Sequence, residues 1–283
     1  KDLHIVKQPV KGFEQDFCFA VTEGDRDMLS VLNEGLAICM ADGTHRHLHS
    51  KWFANLQLPT GRPIVIGGDY NYPPFEFLDE QGNPAGYNVD LVRAVAEAAG
   101  LDIRIRLGRW SDMMEALDRG EIDAIQGMFY SPERDQKFDL SQAHIVNHCV
   151  SVVRTGEGNS PSSAEELRNK HIVVQEGDIM HDYCLEHGLT NKLALAASQG
   201  EALRALASGK YDCALTARLT AFHYIEHEGW NNLVVGQTPL MSPDYCFAVP
   251  DGNNALLTQL GEGLTAIANS GEYRRIQEKW LGV

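Results

Sequence analysis

The chain has 283 residues, 43% of them hydrophobic, with 24 Lys and Arg against 39 Asp and Glu and a formal net charge of −15. This length suffices for one large or two ordinary domains with a hydrophobic core, and the acidic balance argues against nucleic acid or anionic lipid as a partner. No uninterrupted apolar run approaches the roughly 20 residues of a membrane helix, so no segment of the sequence is predicted to span a bilayer.

Six cysteines occur singly along the chain, at positions 18, 39, 149, 184, 213 and 246. Apolar neighbours, as in CFAV and DCALTA, suit a small hydrophobic side chain, so we expect buried thiols rather than disulfides. The first ten residues, KDLHIVKQPV, lack the pattern of a signal peptide and resemble the interior of a domain. We therefore expect the natural N-terminus to lie upstream.

A repeat links the beginning of the sequence to its end. Residues 16–21 read DFCFAV and residues 244–249 read DYCFAV, and aligning residues 16–52 with 244–280 without a gap gives 15 identities in 37 positions. Each copy predicts a short apolar strand, a glycine turn, an amphipathic helix, a glycine break and a second helix that ends in Lys-Trp. One strand and two helices cannot enclose a core, so this unit is expected to close a larger domain.

Between the two copies, strand patterns alternate with helix patterns. Residues 63–67 form an apolar strand run, and residues 88–99 have helical spacing that Gly100 ends. After a polar loop at residues 154–163, RTGEGNSPSS, the alternation restarts with HIVV, a helix over 199–208 and YDCALTA. This order predicts two α/β lobes with mostly parallel sheets.

Five stretches form a series that covers the chain from residue 62 onward. They are IGGDYNYPPFEFLDEQGNPAGYNVDLV at 66–92, GEIDAIQGMFYSPER at 120–134, FDLS at 138–141, GKYDCAL at 209–215 and the terminal SGEYRRIQEKW. In this order they resemble the bacterial periplasmic solute-binding proteins of the polar amino-acid type, called family 3. The resemblance implies an α/β fold of type II, the two-lobed Venus flytrap of periplasmic binding proteins, with a ligand between the lobes.

The resemblance also implies a division of the chain. Lobe 1 is expected at residues 62–150 plus 244–283, and lobe 2 at residues 151–243. Residues 1–58 are then a partial repeat of a flytrap C-terminal segment, and the sequence does not indicate what they pack against.

Two aromatic residues are implied as walls of the ligand site. In the family the aromatic residue before Pro-Pro-Phe stacks on the ligand, which assigns this role to Tyr72, with Asp69 three residues earlier, and Trp110 matches a second aromatic wall. An aromatic ring offers a large contact area with little loss of entropy. The alternative for either ring is an ordinary place in the core.

Arg134 matches the family's arginine that grips the α-carboxylate of the ligand. A guanidinium offers two parallel donors to a carboxylate, and lysine cannot copy that geometry; the alternative is a surface salt bridge. Gly127 and Met128 match a segment that also meets the ligand, although Met128 stands where amino-acid binders often have Ser or Thr and the segment is one residue shorter than usual.

Lobe 2 departs further from the family pattern. Glu176, Gly177 and Asp178 fall where the family has a Gly followed by Ser or Thr, and Ala217 followed by Arg218 stands where amino-acid binders place an Asp for the α-ammonium. An unpaired buried ammonium is costly, so another counter-ion is needed; Asp178 or Asp69 are the candidates. We include Glu176, Gly177, Asp178 and Arg218 among the predicted ligand-binding residues.

Two histidine-rich stretches have spacings that suggest metal sites. HYIEH at 223–227 has the HxxEH spacing of some zinc peptidases, without any other peptidase feature. THRHLHS at 44–50 carries three alternate histidines, but the repeat places them on an amphipathic helix. We expect HYIEH to lie on a helix of lobe 2 without a metal, and THRHLHS to form a solvated helix face. We also expect no other cofactor and no catalytic residue, because GxSxG and phosphate-loop motifs are absent from the sequence.

The duplicated ending favours one function over two others. Free transport proteins of this family usually carry a single flytrap, whereas tandem flytraps resemble the extracellular portions of bacterial sensor histidine kinases. We therefore expect a periplasmic ligand-sensing domain of a membrane-tethered sensor histidine kinase. The domain itself is expected to be no enzyme and to bind a small carboxylate or amino-acid-like solute. A homodimer is one alternative for its oligomeric state. The alternatives are a soluble solute-binding protein of an amino-acid ABC transporter and a cyclohexadienyl-dehydratase-like enzyme that uses Glu176 or Asp178.

Overall fold

The chain divides into two units, Lys1–Trp52 and Phe53–Val283, in a computed structural model that describes residues 18–41, 44–49, 58 and 61–282. Within its described residues, the first unit contains the helices α1 (Arg26–Ala41) and α2 (Thr44–His49). Residues 18–22, which include CFAV, form no strand, so the strand predicted here is wrong for the described part of the repeat. Gly43 and the Lys-Trp pair of this copy lie outside the described residues.

The second unit contains fourteen strands among its described residues. They are β1 (Ile64–Asp69), β2 (Asn71–Tyr72), β3 (Glu76–Leu78), β4 (Pro84–Ala85), β5 (Ile103–Gly108), β6 (Ala124–Phe129), β7 (Phe138–Leu140), β8 (Ile145–Val146), β9 (Cys149–Arg154), β10 (Ile172–Gln175), β11 (Leu193–Ala196), β12 (Cys213–Ala217), β13 (Leu233–Val235) and β14 (Asp244–Pro250). They form one sheet in each of two lobes, and β2, β3 and β4 form a third, small sheet.

The helices of this unit cover the two larger sheets. They are α3 (Tyr87–Ala99), α4 (Trp110–Asp118), α5 (Pro132–Asp135), α6 (Ala164–Leu167), α7 (Ile179–Glu186), α8 (Gln199–Ala207), α9 (Arg218–Glu228), α10 (Asn254–Ser270) and α11 (Glu272–Leu281). The predicted stop at Gly100 is confirmed, because this residue ends α3 in the left-handed conformation with φ 67°. In the described part of the chain, no helix combines the length and the apolar character that a membrane crossing requires.

The sheet of lobe 1 has the strand order β5-β1-β6-β14-β7, and β8 also pairs with β14. The strands β5, β1 and β6 are parallel, whereas β14 is antiparallel to its neighbours. Ile64 and Ile66 pack in the same cluster as residues of α3, α10 and α11, while Val65 packs with α4. This alternation with period two buries the sheet on both faces.

The sheet of lobe 2 has the strand order β11-β10-β12-β9-β13. β10 is parallel to β11 and β12, and β9 is antiparallel to β12 and β13. The helix predicted at residues 199–208 is α8, which begins after Ser198, whose hydroxyl accepts a hydrogen bond from the Glu201 amide. The chain passes from lobe 1 to lobe 2 between β8 and β9 and returns between β13 and β14, so two adjacent segments join the lobes.

The last helix, α11, is attached to lobe 1. Lys279 Nζ and Trp280 Nε1 both donate to Oδ2 of Asp90 on α3, at 2.6 and 2.7 Å. The indole ring of Trp280 also lies 6.0 Å from the ring of Phe77 on β3, centroid to centroid. Two charge-assisted hydrogen bonds and an aromatic contact therefore hold the end of α11 against this lobe.

Four cysteines of the second unit are buried thiols: Cys149, Cys184, Cys213 and Cys246. Burial raises the pKa of Cys184, Cys213 and Cys246 to about 12, so these side chains stay protonated at neutral pH. The expectation of buried thiols is confirmed for these four positions, while Cys18 in the first unit is exposed.

Candidate functional site

A small cavity lies between the two lobes. Its lining residues are Asp69, Tyr72, Glu76, Trp110, Gly127, Phe129 and Tyr245 from lobe 1, and Gln175 and Asp178 from lobe 2. Several of them stand at or just after the C-terminal ends of β1, β6 and β10, where ligands bind in open α/β sheets.

One wall of the cavity is a cluster of aromatic rings around Tyr72. Its ring stacks on Phe75 with centroids 5.2 Å apart, and Phe129 and Tyr245 meet it edge-on at 6.5 and 6.3 Å. The Tyr72 hydroxyl accepts a hydrogen bond from Asn147 Nδ2 at 3.3 Å. The predicted aromatic wall is therefore in the cavity, and the other rings fix its position because their packing leaves it 4% exposed.

Asp69, the last residue of β1, is the acidic group that lobe 1 directs toward lobe 2. Its Oδ1 accepts from the Asn71 amide at 2.8 Å, and its Oδ2 accepts from Gln175 Nε2 of lobe 2 at 2.5 Å. Burial raises the pKa of Asp69 to about 7, because a charged carboxylate loses its hydration in the cleft. At neutral pH this group is therefore poised between its protonated and ionised forms.

Glu76 is a second, fully buried carboxyl group of the cavity. Its Oε2 accepts from Asn88 Nδ2 at 2.9 Å and from Gln126 Nε2 at 2.8 Å, and its Oε1 accepts from the Asp69 amide at 2.7 Å. Burial raises the pKa of Glu76 to about 8, although the three donors oppose that rise. The network ties the small sheet, α3 and β6 together at the base of the cavity.

Asp178 brings a carboxyl group from lobe 2, at the position before α7. It is 6% exposed, and its Oδ2 accepts from Gln199 Nε2 at 2.9 Å. Burial raises the pKa of Asp178, while the nearby Arg134 guanidinium opposes the rise. The nine lining residues thus include three carboxyl groups, from Asp69, Glu76 and Asp178, and no Lys, Arg or His.

Arg134 lies beside the cavity and bridges the lobes. Its Nη2 donates to the Gly177 carbonyl at 3.1 Å and to Asp182 Oδ2 at 2.9 Å, and its guanidinium carbon lies 5.8 Å from the centroid of the Trp110 ring. The guanidinium is therefore at the lobe boundary, as a carboxylate clamp requires, and the carboxylate that it holds here is that of Asp182.

Trp110 and Gly177 meet across the cleft. Trp110 Nε1 donates to the Gly177 carbonyl at 2.8 Å, and a Cβ atom on Gly177 would lie 3.6 Å from the indole ring. Gly177 has φ +73°, a conformation that side chains disfavour. The predicted second aromatic wall thus lines the cavity and also forms part of the closure between the lobes.

Three of the predicted ligand-binding side chains lie away from the cavity lining, so their contact with a ligand stays a prediction. Met128 is fully buried in the cluster beneath α4, because alternation along β6 places Gly127 and Phe129 on the cavity side. Glu176 is exposed to solvent. Arg218 begins α9 and donates to the Gln237 carbonyl at 2.5 Å, near the segments that join the lobes.

Four lining residues have no counterpart among those predicted from the sequence: Glu76, Phe129, Gln175 and Tyr245. Gln175 is the last residue of β10, and Phe129 is the last residue of β6. A polar residue that ends a buried parallel strand is a usable signal, whereas Tyr245 belongs to the repeated stretch, where only a strand pattern was visible. No sequence signal distinguishes Glu76 from an ordinary strand residue.

Direct hydrogen bonds join the two lobes around the cavity. Besides the contacts of Asp69, Trp110 and Arg134, the side chain of Asn71 accepts from the Tyr224 hydroxyl and donates to Ser198 Oγ, the latter at 3.4 Å. Lobe 1 and lobe 2 therefore lie in a closed arrangement. Aromatic and acidic groups face each other across the closed cleft, and opening it for a ligand requires these hydrogen bonds to break.

The HYIEH stretch lies on α9. The rings of His223 and His227 stack with centroids 5.8 Å apart, and His223 also lies 6.3 Å from Phe77 of lobe 1. Within the described ranges, no group of three or more His, Cys, Asp or Glu side chains is arranged to hold a metal ion. In THRHLHS, the side chain of His45 is exposed, while those of His47 and His49 lie outside the described residues.

Known proteins resemble this chain in sequence over most of its length. The L-cystine-binding protein TcyJ of Escherichia coli (strain K12) is 23% identical over 220 residues, which cover 77% of this chain and 82% of that protein. The ancestral arginine-binding protein solved with bound glutamine is 29% identical with a TM-score of 0.71, and the match covers 78% of this chain and 98% of that one.

A solved histidine kinase sensor domain with similarity to periplasmic binding proteins is more similar still. It is 37% identical with a TM-score of 0.75, and the match covers 78% of this chain and 97% of that one. The profile of the bacterial extracellular solute-binding proteins, family 3, matches residues 64–283. The predicted fold, an α/β Venus flytrap of two lobes, is confirmed, and the chain belongs to the bacterial extracellular solute-binding proteins, family 3.

Proposed function

We propose that this chain is the ligand-sensing part of a membrane-tethered sensor histidine kinase, and that its interlobe cavity binds a small amino-acid-like solute. The observation that carries the proposal is the 37% identity to a histidine kinase sensor domain, of which the match covers 97%. Proteins named for binding or transport of amino acids match the same part of the chain at lower identity, 23% for TcyJ and 29% for the ancestral arginine-binding protein. Family membership supports an extracytoplasmic location.

The acidic lining of the cavity supports a ligand with an amino group. Asp69 and Asp178 come from opposite lobes, and the nine lining residues supply no cation to balance them. An ammonium group between the two carboxylates would favour their ionised forms and offset their desolvation. Because burial has raised the pKa of Asp69 to about 7, binding of a cation would lower that pKa and release a proton near neutral pH.

Arg134 supports a carboxylate on the same ligand. Its guanidinium is 5% exposed and already holds the carboxylate of Asp182, a half-exposed side chain of α7. We propose that a ligand carboxylate replaces Asp182 on Arg134, since both offer the same pair of acceptor atoms. The exchange keeps the buried guanidinium paired throughout, so it avoids the cost of an isolated buried charge.

The signal in this proposal is the closure of the lobes. A ligand shifts the equilibrium between open and closed lobes only by the difference between its affinities for the two states. Reversing a bias of 1:99 to 99:1 requires a difference of about 5.5 kcal/mol. Contacts to both lobes, through Asp69 on one side and Asp178 on the other, are the kind that the open state cannot provide.

The sensor proposal is tested by the gene beyond Val283. A membrane helix followed by a histidine kinase is expected in the downstream codons. A stop codon close to Val283, together with a secretion signal at the start of the gene, would instead establish a free solute-binding protein of the transporter type.

The ligand proposal is tested separately, by thermal shift. Amino acids, simple amines, dicarboxylates and aromatic acids are screened against the dialysed protein, and a bound ligand raises Tm with the logarithm of saturation. Stabilisation by amino acids above the other classes is expected, and stabilisation by dicarboxylates alone would contradict the role of the acidic lining.

We further propose that this domain binds its ligand without transforming it. One similar structure is an ancestral amino-acid-binding protein described as a precursor of cyclohexadienyl dehydratase, with 26% identity and a TM-score of 0.68. An assay for turnover of prephenate is therefore the relevant check, and formation of product would favour an enzyme in which a cleft carboxyl such as Asp178 acts as the acid.

A further inference from the structure

The repeat permits a position-by-position comparison of α1 with α10. The buried face of α10 begins with Ala255, which the repeat pairs with the acidic Asp27 of α1. Its other buried residues are Leu256, Gln259, Leu260, Gly263, Leu264 and Ile267. The positions that match them in α1 are Met28, Val31, Leu32, Gly35, Leu36 and Cys39. These six positions recur at helical spacing and carry five apolar side chains and a glycine, so α1 has the same kind of packing face as α10.

The matching faces differ in their exposure. Leu256 and Leu260 of α10 are fully buried, whereas Met28 and Val31 of α1 expose 50% and 63% of their surface. Leu32, Leu36 and Cys39 are half-buried, so Met28 and Val31 are the exposed part of this face. Neighbouring exposed apolar side chains indicate an interaction surface.

A glycine identifies what packs on such a face. A Cβ atom at Gly263 would lie 2.5 Å from the carbonyl oxygen of Val95, so the absence of a side chain lets α10 approach α3 closely. Gly35 occupies the matching position in α1, and a Cβ atom there would have no described atom within 4 Å. Glycine weakens the interior of a helix, so its presence at both positions points to a second helix that crosses α1 as α3 crosses α10.

The CFAV stretch before each helix indicates that a sheet is also part of the packing partner. In the second copy, residues 246–249 read CFAV and lie buried in β14, between strands of lobe 1. In the first copy the same four letters stand at residues 18–21, outside any strand, and Phe19 is 63% exposed where the matching Phe247 is fully buried. The first copy therefore carries a strand sequence suited to the interior of a sheet of this type.

We propose that residues 18–41 are the docking surface for the core of a second lobe 1, which supplies a sheet for CFAV and an α3-like helix for the face of α1 that carries Met28, Val31 and Gly35. The lobe 1 of this chain, or of another copy of it, is unsuited as the partner, because its α3 already holds α10 against Gly263. In the second copy the closing segment follows its own core along the chain. If the first copy follows the same order along the chain, the core on which it docks belongs to a solute-binding domain encoded before residue 16.

The proposal is tested by hydrogen exchange on the 283-residue chain and on the natural protein extended upstream of Lys1. The amides of residues 26–41 are expected to exchange roughly 100-fold more slowly in the longer protein, because docking makes their opening depend on a folded domain. Equal exchange in both proteins would overturn the proposal, as would an upstream sequence without the strand and helix pattern of a lobe 1.

Substitutions and light scattering complete the test. Gly35→Val is expected to leave Tm of the 283-residue chain unchanged and to remove the slow exchange in the longer protein, while Met28→Asp should have the same effect without a bulkier helix. Gly263→Val is the matched control and should lower Tm of both proteins. A dimer of the 283-residue chain in which residues 26–41 exchange slowly would make a second copy the partner and would overturn the proposal.

Discussion

Replacing Asp69 by asparagine is expected to stabilise the ligand-free protein at and above neutral pH. Burial in the closed cleft raises the pKa of Asp69 from 3.8 to about 7. An acid with a raised pKa in the folded state contributes its full stability below the unfolded pKa of 3.8 and loses it as the pH rises to 7. Asparagine has nearly the same size and stays neutral, and an amide flip of Gln175 lets it keep a hydrogen-bond partner.

The expected effect follows from the same two pKa values. Between pH 5 and pH 7 the unfolded side chain is ionised and the folded one is protonated, so folding loses about 1.36 kcal/mol per pH unit. That rate sets an upper limit of about 3 kcal/mol over these two pH units. Relaxation and water entry reduce such values, so the stability of Asp69→Asn relative to the parent is expected to rise by about 1 to 2 kcal/mol between pH 5 and pH 8.

The assay is urea unfolding of the dialysed proteins at pH 5 and pH 8, followed by circular dichroism and tryptophan fluorescence. Asp118→Asn, at the exposed last residue of α4, is the matched control because it replaces a carboxyl group outside the cavity by the same amide. If the difference between Asp69→Asn and the parent were the same at pH 5 and pH 8, Asp69 would not have the raised pKa on which this reasoning depends.

Three further predictions concern binding and packing. Arg134→Ala is expected to lower the affinity for an amino-acid ligand, measured by calorimetry, by about 10- to 100-fold, because hydrogen bonds to charged groups contribute about 1.5 to 3 kcal/mol. Arg134→Lys should not restore binding, and full affinity in the alanine variant would exclude the role of Arg134 as a carboxylate clamp. Affinity for a ligand with an ammonium group should fall as the pH drops below 7, since protonation of Asp69 removes its charge, and a pH-independent Kd in the parent would contradict this. Gly263→Val should lower the free energy of unfolding by about 1 to 3 kcal/mol, because the new side chain overpacks against Val95. Gly261→Val on the same helix, where a Cβ atom meets nothing within 4 Å, should lower it far less. Equal losses would refute the close approach of α10 to α3.

Local patterns in the sequence predicted the secondary structure of the lobes well. The apolar run of β1, the helical spacing of α3 and the glycine that ends it all depend on residues close to one another. The roles of Asp69 and Tyr72 were implied by the family resemblance of one short stretch, and the structure places both residues in the cavity lining. Such features need little information about distant parts of the chain.

The side chains that were misplaced or missed depend on register and on distant contacts. Met128 and Phe129 are neighbours on β6, and a shift of one residue exchanges which of them faces the cavity. Glu76 lies in the cavity because Asn88 and Gln126 donate to it from other elements. The stretch CFAV shows this dependence most clearly. The same four residues form a buried strand at 246–249 and no strand at 18–21, so the neighbouring sheet decides whether this sequence forms a strand.

The attachment of Trp280 and Lys279 to Asp90 determines which half of the flytrap moves when the end of the chain is held still. Both hydrogen bonds join α11 to α3, so α11 and lobe 1 form one mechanical body. Lobe 2 is connected to that body through the two joining segments and through the contacts that closure creates. In a molecule fixed at its C-terminal helix, lobe 2 is therefore the moving arm, and a distance probe placed on α9 would register closure that a probe on α10 would not.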